Sequence, residues 1–541
     1  ADCFKQGSGR SGFDLVPNSQ EKTELRCQQR CQCIENCAFF TYWAGNGNCH
    51  VQSARATELF SNREAVTGPV SCTADTIPRA QLKPRGPDLP VLRPPADGYV
   101  GPKVYVYELP ERFRNQGKDP TCFTRDCVFG GPPFLVQGVD IYASNQFHMP
   151  RMLYWRFLNS PRRTWDVNEA DIFYVPAYVF KPSEETLCAN DTDLHETLLA
   201  LNPLLKDEAW VKAKASRHLM ADARGWEVCG YMWSLQLPWR LFHRVNIELN
   251  GMMDDGPEGW TDGKPFFWYQ FPYPAVYHGP AGGVPARLRT PGPARYLWCF
   301  TGTGRGQAGQ LRGELMRQCD LCNRCGQVTS LAEVNGEMKQ EDRDGYAGLS
   351  SLKLQSTFCT EPPGDTVTRK SLLDSMILGC IPVVFAHQEL DMFEPFLTAD
   401  EFRDVAVFVP EMEIMGSDGP LSLWATGTFG GSKPTPKMKK LKKLYPEYAS
   451  LFNALSPQHS VQEREDKARR LFGKPRSMMS ILSQISEDEI RRKQGVLAEV
   501  AHRLVIGLDD SSEDAVRILL SKMISNDREA HARSAKSTLW S

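Results

Sequence analysis

Phe358-Cys-Thr-Glu-Pro-Pro-Gly-Asp-Thr-Val-Thr-Arg-Lys-Ser-Leu-Leu-Asp374, continued by Leu378-Gly-Cys-Ile-Pro-Val-Val-Phe385, decides the fold of this chain. Ser356 to Cys359 is a short β-prone run, and Pro362-Pro363-Gly364-Asp365 is strong turn chemistry. Thr366 or Thr368 is placed to cap the helix that follows. Leu372, Leu373, Met376 and Ile377 give that helix one apolar side, Gly379 ends it, and Ile381 to Phe385 reads as a buried strand. Strand, glycine loop, helix, glycine stop, strand is half of a nucleotide-binding α/β unit, with backbone N–H groups open at a helix N-terminus. Arg369 and Lys370 add positive charge there, and Asp374 lies one turn after Lys370 on the same face. An anion held by the cations, with a carboxylate gripping ribose hydroxyls, is what a nucleotide-sugar pocket requires. The alternative is a solvated Lys370–Asp374 pair on an ordinary helix. Either way these side chains are expected on the polar face, where replacing them barely alters stability.

The remaining chain alternates between strands and helices from Pro102 onward. Val104–Tyr107 and Ile172–Val175 read as strands. Asn145–Leu158 is helical in pattern, with Pro150 interrupting it or marking its first turn. A second α/β unit starts after about Ala294, with Tyr296–Phe300 as its first strand. The predicted divisions are a disulfide module over 1–72, a proline-rich linker over 73–101, an N-terminal α/β domain over 102–293, a C-terminal one over 294–525 and a tail over 526–541. The linker holds Pro78, Pro84, Pro87, Pro90, Pro94 and Pro95, a stiff spacer that lets the module and the remainder fold separately. Residues 417–475 look inserted. Their lysines 437, 439, 440, 442 and 443 suit either a basic flap over an anion or, preferred here, a solvated helix whose Met438, Leu441 and Leu444 pack inward. Two helices close the chain, with N-cap signals at Ser486 and Ser511.

At 541 residues and a net charge of −2, bulk electrostatics points to no nucleic-acid partner. No run is apolar enough to span a bilayer. The chain starts at Ala1 inside a cysteine-rich module with no leader, which reads as a mature or truncated lumenal product. Seventeen cysteines favour an oxidising compartment. Cys3, Cys27, Cys31, Cys33, Cys37, Cys49 and Cys72 crowd the first module as a disulfide scaffold. Cys319-Asp-Leu-Cys-Asn-Arg-Cys325 could cradle a metal, but with no fourth ligand nearby structural disulfides are preferred. Cys122 and Cys127 are spaced for a local bridge. Asn190-Asp-Thr192 is the one N-glycosylation sequon, so Asn190 is expected to carry a glycan.

Four motifs in order resemble the exostosin-like glycosyltransferases, family forty-seven. They are Val104-Tyr-Val-Tyr-Glu-Leu-Pro110, Thr164-Trp-Asp-Val-Asn-Glu-Ala-Asp-Ile-Phe-Tyr-Val-Pro176, Phe300-Thr-Gly-Thr-Gly-Arg305 with Arg312, and the opening segment. That resemblance implies the GT-B architecture, two facing Rossmann-like domains, with the N-terminal one for the acceptor and the C-terminal one for a nucleotide sugar. Cys27-x3-Cys31-x5-Cys37, Phe39-Phe-Thr-Tyr42 and Asn48-Cys-His50 resemble the PAN/Apple fold, which implies bridges Cys3–Cys72, Cys27–Cys49 and Cys31–Cys37 and leaves Cys33 over.

The family resemblance implies an inverting transferase that moves a sugar from a UDP-sugar to a glycan or glycoprotein. It places the enzyme in the Golgi lumen or outside the cell. The donor site would be built from Gly302, Arg305, Arg312, Gly364, Thr366, Arg369, Lys370 and Asp374. The base is expected from His218-Leu-Met-Ala-Asp222, with Asp222 ahead of His218 and His148 weaker still. Fixed cations and helix N-termini would stabilise the leaving diphosphate, so no cofactor and no catalytic metal are expected; no Asp-x-Asp stands at a plausible strand end. The chain departs from the family pattern at Thr360, at Thr368-Arg-Lys-Ser371 and at Trp210-Val-Lys-Ala-Lys-Ala-Ser-Arg217 before His218. A non-enzymatic binding scaffold that keeps the fold is the rival reading, and a metalloenzyme built on Cys319–Cys325 is a third.

Overall fold

The computed structural model describes residues 3–34, 36–70, 101–109, 125–176, 191–207, 217–222, 243–247, 268–306, 308–328, 340–364, 366–390, 392–417, 436–456, 459–510 and 513–525, with a few residues between them. Cys72, Cys122, Asn190, the tail 526–541 and nearly all of the linker lie outside that set, as do the side chains of Cys33, Cys127 and Asp222.

The first module is an antiparallel sheet of β1 (Lys5–Arg10), β2 (Ser19–Gln20), β3 (Cys37–Trp43), β4 (Asn48–Ser53) and β5 (Leu59–Pro69), in the order β1-β5-β3-β4-β2. One helix, α1 (Glu24–Cys33), lies on it, started by the Thr23 hydroxyl accepting the Arg26 N–H. Cys27–Cys49 ties α1 to β4, and Cys31–Cys37 ties it to the start of β3. Cys3 is also disulfide-bonded.

The module is not a bead on a string. Its helix α1 lies against α3 (Gly309–Asp320) and the 475–478 stretch of the C-terminal unit. Arg26 pairs with Glu314 at 3.4 Å, Arg317 donates to Gln29 at 3.1 Å, and Gln29 donates to the Pro475 carbonyl at 3.4 Å. Ser477 bonds Gln32. The module is thus seated on the remainder through a polar docked interface, in which α1 and α3 present complementary charges.

Two wholly parallel sheets follow. The first is β6 (Val104–Val106), β9 (Arg163–Thr164), β10 (Ile172–Val175), β11 (His218–Asp222), β12 (His243–Asn246) and β13 (Trp268–Gln270), in the order β13-β12-β11-β10-β6-β9. A hairpin, β7 (Phe134–Val136) with β8 (Val139–Ile141), sits between β6 and α2 (Met149–Asn159), where Pro150 occupies the first turn rather than breaking the helix. The second sheet is β14 (Tyr296–Thr301), β15 (Cys325–Val328), β16 (Ser356–Glu361), β17 (Ile381–Val384) and β18 (Val407–Phe408), in the order β15-β14-β16-β17-β18. Its crossovers include α3, α4 (Gln340–Leu354) and α5 (Lys370–Ile377). This mixed α/β architecture fits the GT-B-like arrangement.

One apolar core runs through both units. Met152 and Phe157 of α2, Tyr174 of β10, Phe396, Leu497 and Leu519 all belong to it. Helix α7 (Glu487–Val500), N-capped by Ser486, and the helix at 515–525 close it. Arg156 of α2 pairs with Asp514 at 2.6 Å and Asp510 at 2.8 Å, so the end of the chain is fastened back onto the N-terminal unit. In the inserted region, α6 (Pro436–Leu444) buries Leu441 and Leu444 while Lys440 pairs with Glu394, as an ordinary packed surface helix.

Candidate functional site

Strand order locates the site. In the second sheet β14 is flanked by β15 on one side and β16 on the other, so the chain reverses its direction of winding there. Ligands of open α/β sheets bind outside the C-terminal strand ends at such a switch point. The two strand ends at this point carry the two glycine loops, Thr301–Gly306 after β14 and Pro362–Thr368 after β16.

Each loop needs its glycine for a definite reason. Gly302 has φ of 138°, outside the range of L side chains, and lies against the Arg312 guanidinium. At Gly364 a Cβ would come within 1.4 Å of Arg369 Nη1, so any other residue there would push the guanidinium off the loop.

The basic residues divide into two pairs. Arg312 is buried and consumed by structure: Nε donates to the Thr303 carbonyl at 2.6 Å, and Nη1 reaches the Pro362 and Pro363 carbonyls at 3.4 and 3.3 Å. It staples the two glycine loops together. Lys370 is consumed by Asp374, with Nζ at 2.9 and 2.8 Å from its two oxygens. Arg305 is exposed on the first loop and Arg369 half-buried on the second, and neither forms a hydrogen bond or ion pair among the described residues.

Asp374 departs from its expected place. It is buried, and besides Lys370 it accepts the backbone N–H of Val276 at 2.9 Å. Burial pushes the Lys370 ammonium down and the Asp374 carboxyl up from their ordinary ranges, and each is pulled back by the other. The expected threonine cap is also absent. Arg369 stands at the N-cap of α5 with no side-chain cap bond, Thr366 donates to the Thr368 carbonyl, and Thr368 donates to the Ile247 carbonyl across the domain boundary. The threonines serve the loop and the boundary, which leaves the first turn of α5 uncapped by any side chain among the described residues.

Beneath the loops lies a buried polar network that the sequence reading missed. Lys353 Nζ contacts Glu361 at 2.8 Å and Ser371 Oγ at 2.9 Å, and Ser371 meets Thr301 at 3.0 Å. It locks α4, β14, β16 and α5 together directly under the switch point. Glu389, also missed, is fully buried after β17. Its Oε2 accepts the N–H groups of Phe385 and Ala386, and its Oε1 has no partner. Burial raises its carboxyl well above the usual range, with Arg369 opposing the shift. No local pattern in the sequence marks either: Lys353 stands between Leu352 and Leu354 in a polar stretch, and Glu389 between Gln388 and Leu390.

The N-terminal unit supplies the opposite wall. His218 opens β11 with no exposed surface. Its Nε2 lies 3.0 Å from Tyr107 Oη, its Nδ1 3.1 Å from the Lys214 carbonyl, and its ring is stacked on Phe173 at 4.6 Å. Both nitrogens are engaged inside the domain, so His218 is a core histidine and not the expected proton acceptor. His148 is half-buried at the N-cap of α2, and burial pulls its pKa down to about 4. Asp222 is the last residue of β11, in register with Asn246 of β12, and so stands at the C-terminal edge of its sheet.

Two more bridges form among the described residues outside the first module. Cys319–Cys325 joins the end of α3 to β15, and Cys359–Cys380 joins β16 to the residue just before β17. The first settles the Cys319-x2-Cys-x2-Cys motif in favour of a bridge. The second was not anticipated.

Residues 99–417 match the Exostosin GT47 domain. Among curated proteins of Arabidopsis thaliana, the chain is 27% identical over 336 residues to a probable xyloglucan galactosyltransferase, covering 57% of this chain and 70% of that protein. It is 25% identical over 345 residues to a xyloglucan galactosyltransferase, covering 59% and 54%, and 25% identical over 307 residues to a xyloglucan-specific galacturonosyltransferase, covering 53% and 44%. The chain thus spans about half the length of two of these relatives. With a matched domain that takes in most of both parallel sheets and both glycine loops, the chain belongs to the exostosin glycosyltransferases of family forty-seven.

Proposed function

We propose that this glycosyltransferase moves a sugar from a UDP-sugar to a hydroxyl of a glycan with inversion at the anomeric carbon. The observation that carries the reading is the pair Arg305 and Arg369, two unengaged guanidinia on two glycine loops at the switch point of the second sheet. They are positioned to take the diphosphate, assisted by the uncapped first turn of α5. In the transfer the acceptor oxygen attacks the anomeric carbon, the bond to the diphosphate breaks on the opposite face, and UDP leaves with its charge held by the two arginines. The acceptor proton passes to a carboxylate at the edge of the opposite sheet, for which Asp222 is the candidate by position. The two guanidinia supply the charge compensation a metal would otherwise give, so we place no metal in the reaction. Gly302 and Gly364 allow close backbone approach, while Arg312, Thr366, Lys370 and Asp374 hold the site's frame. The relatives' names point to galactose or galacturonate as the sugar and a xyloglucan-like polysaccharide as the acceptor.

The same reading puts the enzyme in the lumen of the secretory pathway or outside the cell, in keeping with its disulfides. The first module, PAN/Apple-like in its cysteine pattern, sits on the donor-side unit. Among the described residues no helix is long and apolar enough to cross a membrane.

Calorimetric titration of UDP into the wild type, Arg305→Ala and Arg369→Ala tests the donor site. A lost charge-assisted contact worth about 1.5–3 kcal/mol predicts a roughly ten-fold to hundred-fold weaker complex in each variant. A screen of UDP-sugars that reads UDP release, repeated with excess EDTA, tests the reaction. Failure of UDP to bind, or turnover that EDTA abolishes and manganese restores, would overturn the donor site or the metal-free step respectively.

A further inference from the structure

We infer that Trp165 is a remote acceptor subsite, an aromatic platform that stacks against a pyranose ring of an extended, neutral glycan chain away from the reacting sugar. The inference rests on the transferase reading above and adds where the acceptor lies.

Three observations carry it. Trp165 is 68% exposed, the most exposed Trp or Phe among the described residues, in a unit whose other described aromatics are largely buried. Its ring is held in place: the Arg163 guanidinium lies 3.6 Å over one face, and Arg163 in turn reaches Glu108 at 3.4 Å. One face is covered by a fixed, charge-compensated partner and the ring stands open to solvent otherwise. The third observation is location. In the first sheet β6 is flanked by β9 and β10, which makes the β6/β10 boundary the switch point of that sheet. Glu108 follows the end of β6, and Trp165 follows the end of β9 immediately beside it. The platform therefore borders the crevice where the N-terminal sheet is expected to take its ligand.

The spacing suits a chain and not a single sugar. From β9 to β11, whose last residue is Asp222, there are three strand intervals, about 14 Å at 4.7–4.9 Å each. A sugar at the reacting end cannot also reach Trp165, but a short run of linked sugars can. The chemistry selects the class of ligand. Pyranose rings with equatorial substituents present flat C–H faces, which pack on an aromatic ring with little loss of hydration, while their hydroxyls point sideways to polar groups such as Glu108. A polyanionic glycan gains no net charge here, because Arg163 is offset by Glu108.

The test compares short and long acceptors. Initial rates are measured with cellobiose, cellohexaose and xyloglucan oligosaccharides for the wild type, Trp165→Ala and Trp165→Phe. The wild type is expected to show a KM that falls with acceptor length. In Trp165→Ala that advantage shrinks about ten-fold, about 1.4 kcal/mol, with the loss in KM and not in kcat; Trp165→Phe keeps most of it. Calorimetry of cellohexaose with donor-free protein should show the same ranking, and this arm does not depend on turnover. If no UDP-sugar supports transfer, the functional reading fails while the calorimetric ranking still decides the platform. Equal length dependence in wild type and Trp165→Ala, or equal binding of cellohexaose to both, overturns the proposal. A matching loss for cellobiose also overturns it, since it would place Trp165 at the reacting sugar.

Discussion

The carboxylate of Asp374 accepts the backbone N–H of Val276 at 2.9 Å while Lys370 grips both of its oxygens. Asp374 lies on α5, in the unit built on the second sheet, and Val276 follows the last strand of the first. The bond thus crosses the boundary between the two halves, together with Thr368 to Ile247, Tyr346 to Ser144 and the Phe271–Phe396 ring contact. A carboxylate so occupied sets the position of α5 relative to the N-terminal unit.

Replacing Asp374 is therefore expected to cost stability first. Asp374→Ala leaves Lys370 buried without its partner and Val276 N–H without an acceptor, a loss of about 3–5 kcal/mol. Thermal and urea melts of Asp374→Ala and Asp374→Asn check this. An unchanged melting point with a collapse in UDP affinity would return Asp374 to a ribose-binding role.

His278 predicts an acid-sensitive boundary. It is fully buried, with Nδ1 2.6 Å from the Ile506 carbonyl and Nε2 2.6 Å from Ser144 Oγ. Burial pulls its pKa down to about 3, with Lys370 adding repulsion. The unfolded chain takes up a proton near the ordinary 6.5 and the folded chain does not, so its contribution is complete above 6.5 and is lost as pH falls toward 3. At pH 5 the expected loss is about 2 kcal/mol. Glu411, raised by burial to about 7, acts in the opposite sense between 7 and 4.5, because its folded neutral form gains as pH falls. The difference between wild type and His278→Asn across pH 7 to 4.5 isolates the histidine. Parallel stability profiles for the two proteins would refute it.

Cys299 stands 3.0 Å from Cys359 Sγ, whose own bridge runs to Cys380. The two are register partners on β14 and β16. Burial pushes the Cys299 thiol up to about 11, which keeps it protonated and the existing bridge intact. Cys380→Ser frees Cys359, and secretion through an oxidising compartment should then join Cys299 to Cys359. Peptide mapping after alkylation reads the outcome; two alkylated thiols at 299 and 359 would contradict the expected exchange of partner.

Removing residues 1–70 uncovers Glu314, Arg317 and the Pro475–Ser477 stretch. The truncated chain should keep UDP binding but melt several degrees lower, since the lost contacts are polar and half-exposed and each contributes roughly 1 kcal/mol or less. Identical melting curves for the full and shortened chains would show the docking to be energetically idle.

Local pattern determined a good deal of this protein. Alternating strands and helices, the turn at Pro362–Gly364, the stop at Gly379 and the Ser486 cap are each fixed by residues close in sequence, and each stands where the pattern puts it. The bridges Cys27–Cys49 and Cys31–Cys37, implied by the resemblance of the cysteine pattern to the PAN/Apple fold, both form. What the tertiary structure alone decided is which charges remain available. Arg305, Arg312, Arg369 and Lys370 look alike in the sequence, yet two are spent on loop carbonyls and a buried carboxylate, and two form no hydrogen bond or ion pair among the described residues. His218 and Asp222 share one short strand, yet one is stacked in the core and the other ends at the sheet's edge. The reason is physical: a buried charge or polar ring must find a partner or lose its hydration uncompensated, and the partners are distant in sequence: Pro362 and Tyr107 come near only when each sheet assembles, and Val276 only when the two units pack together.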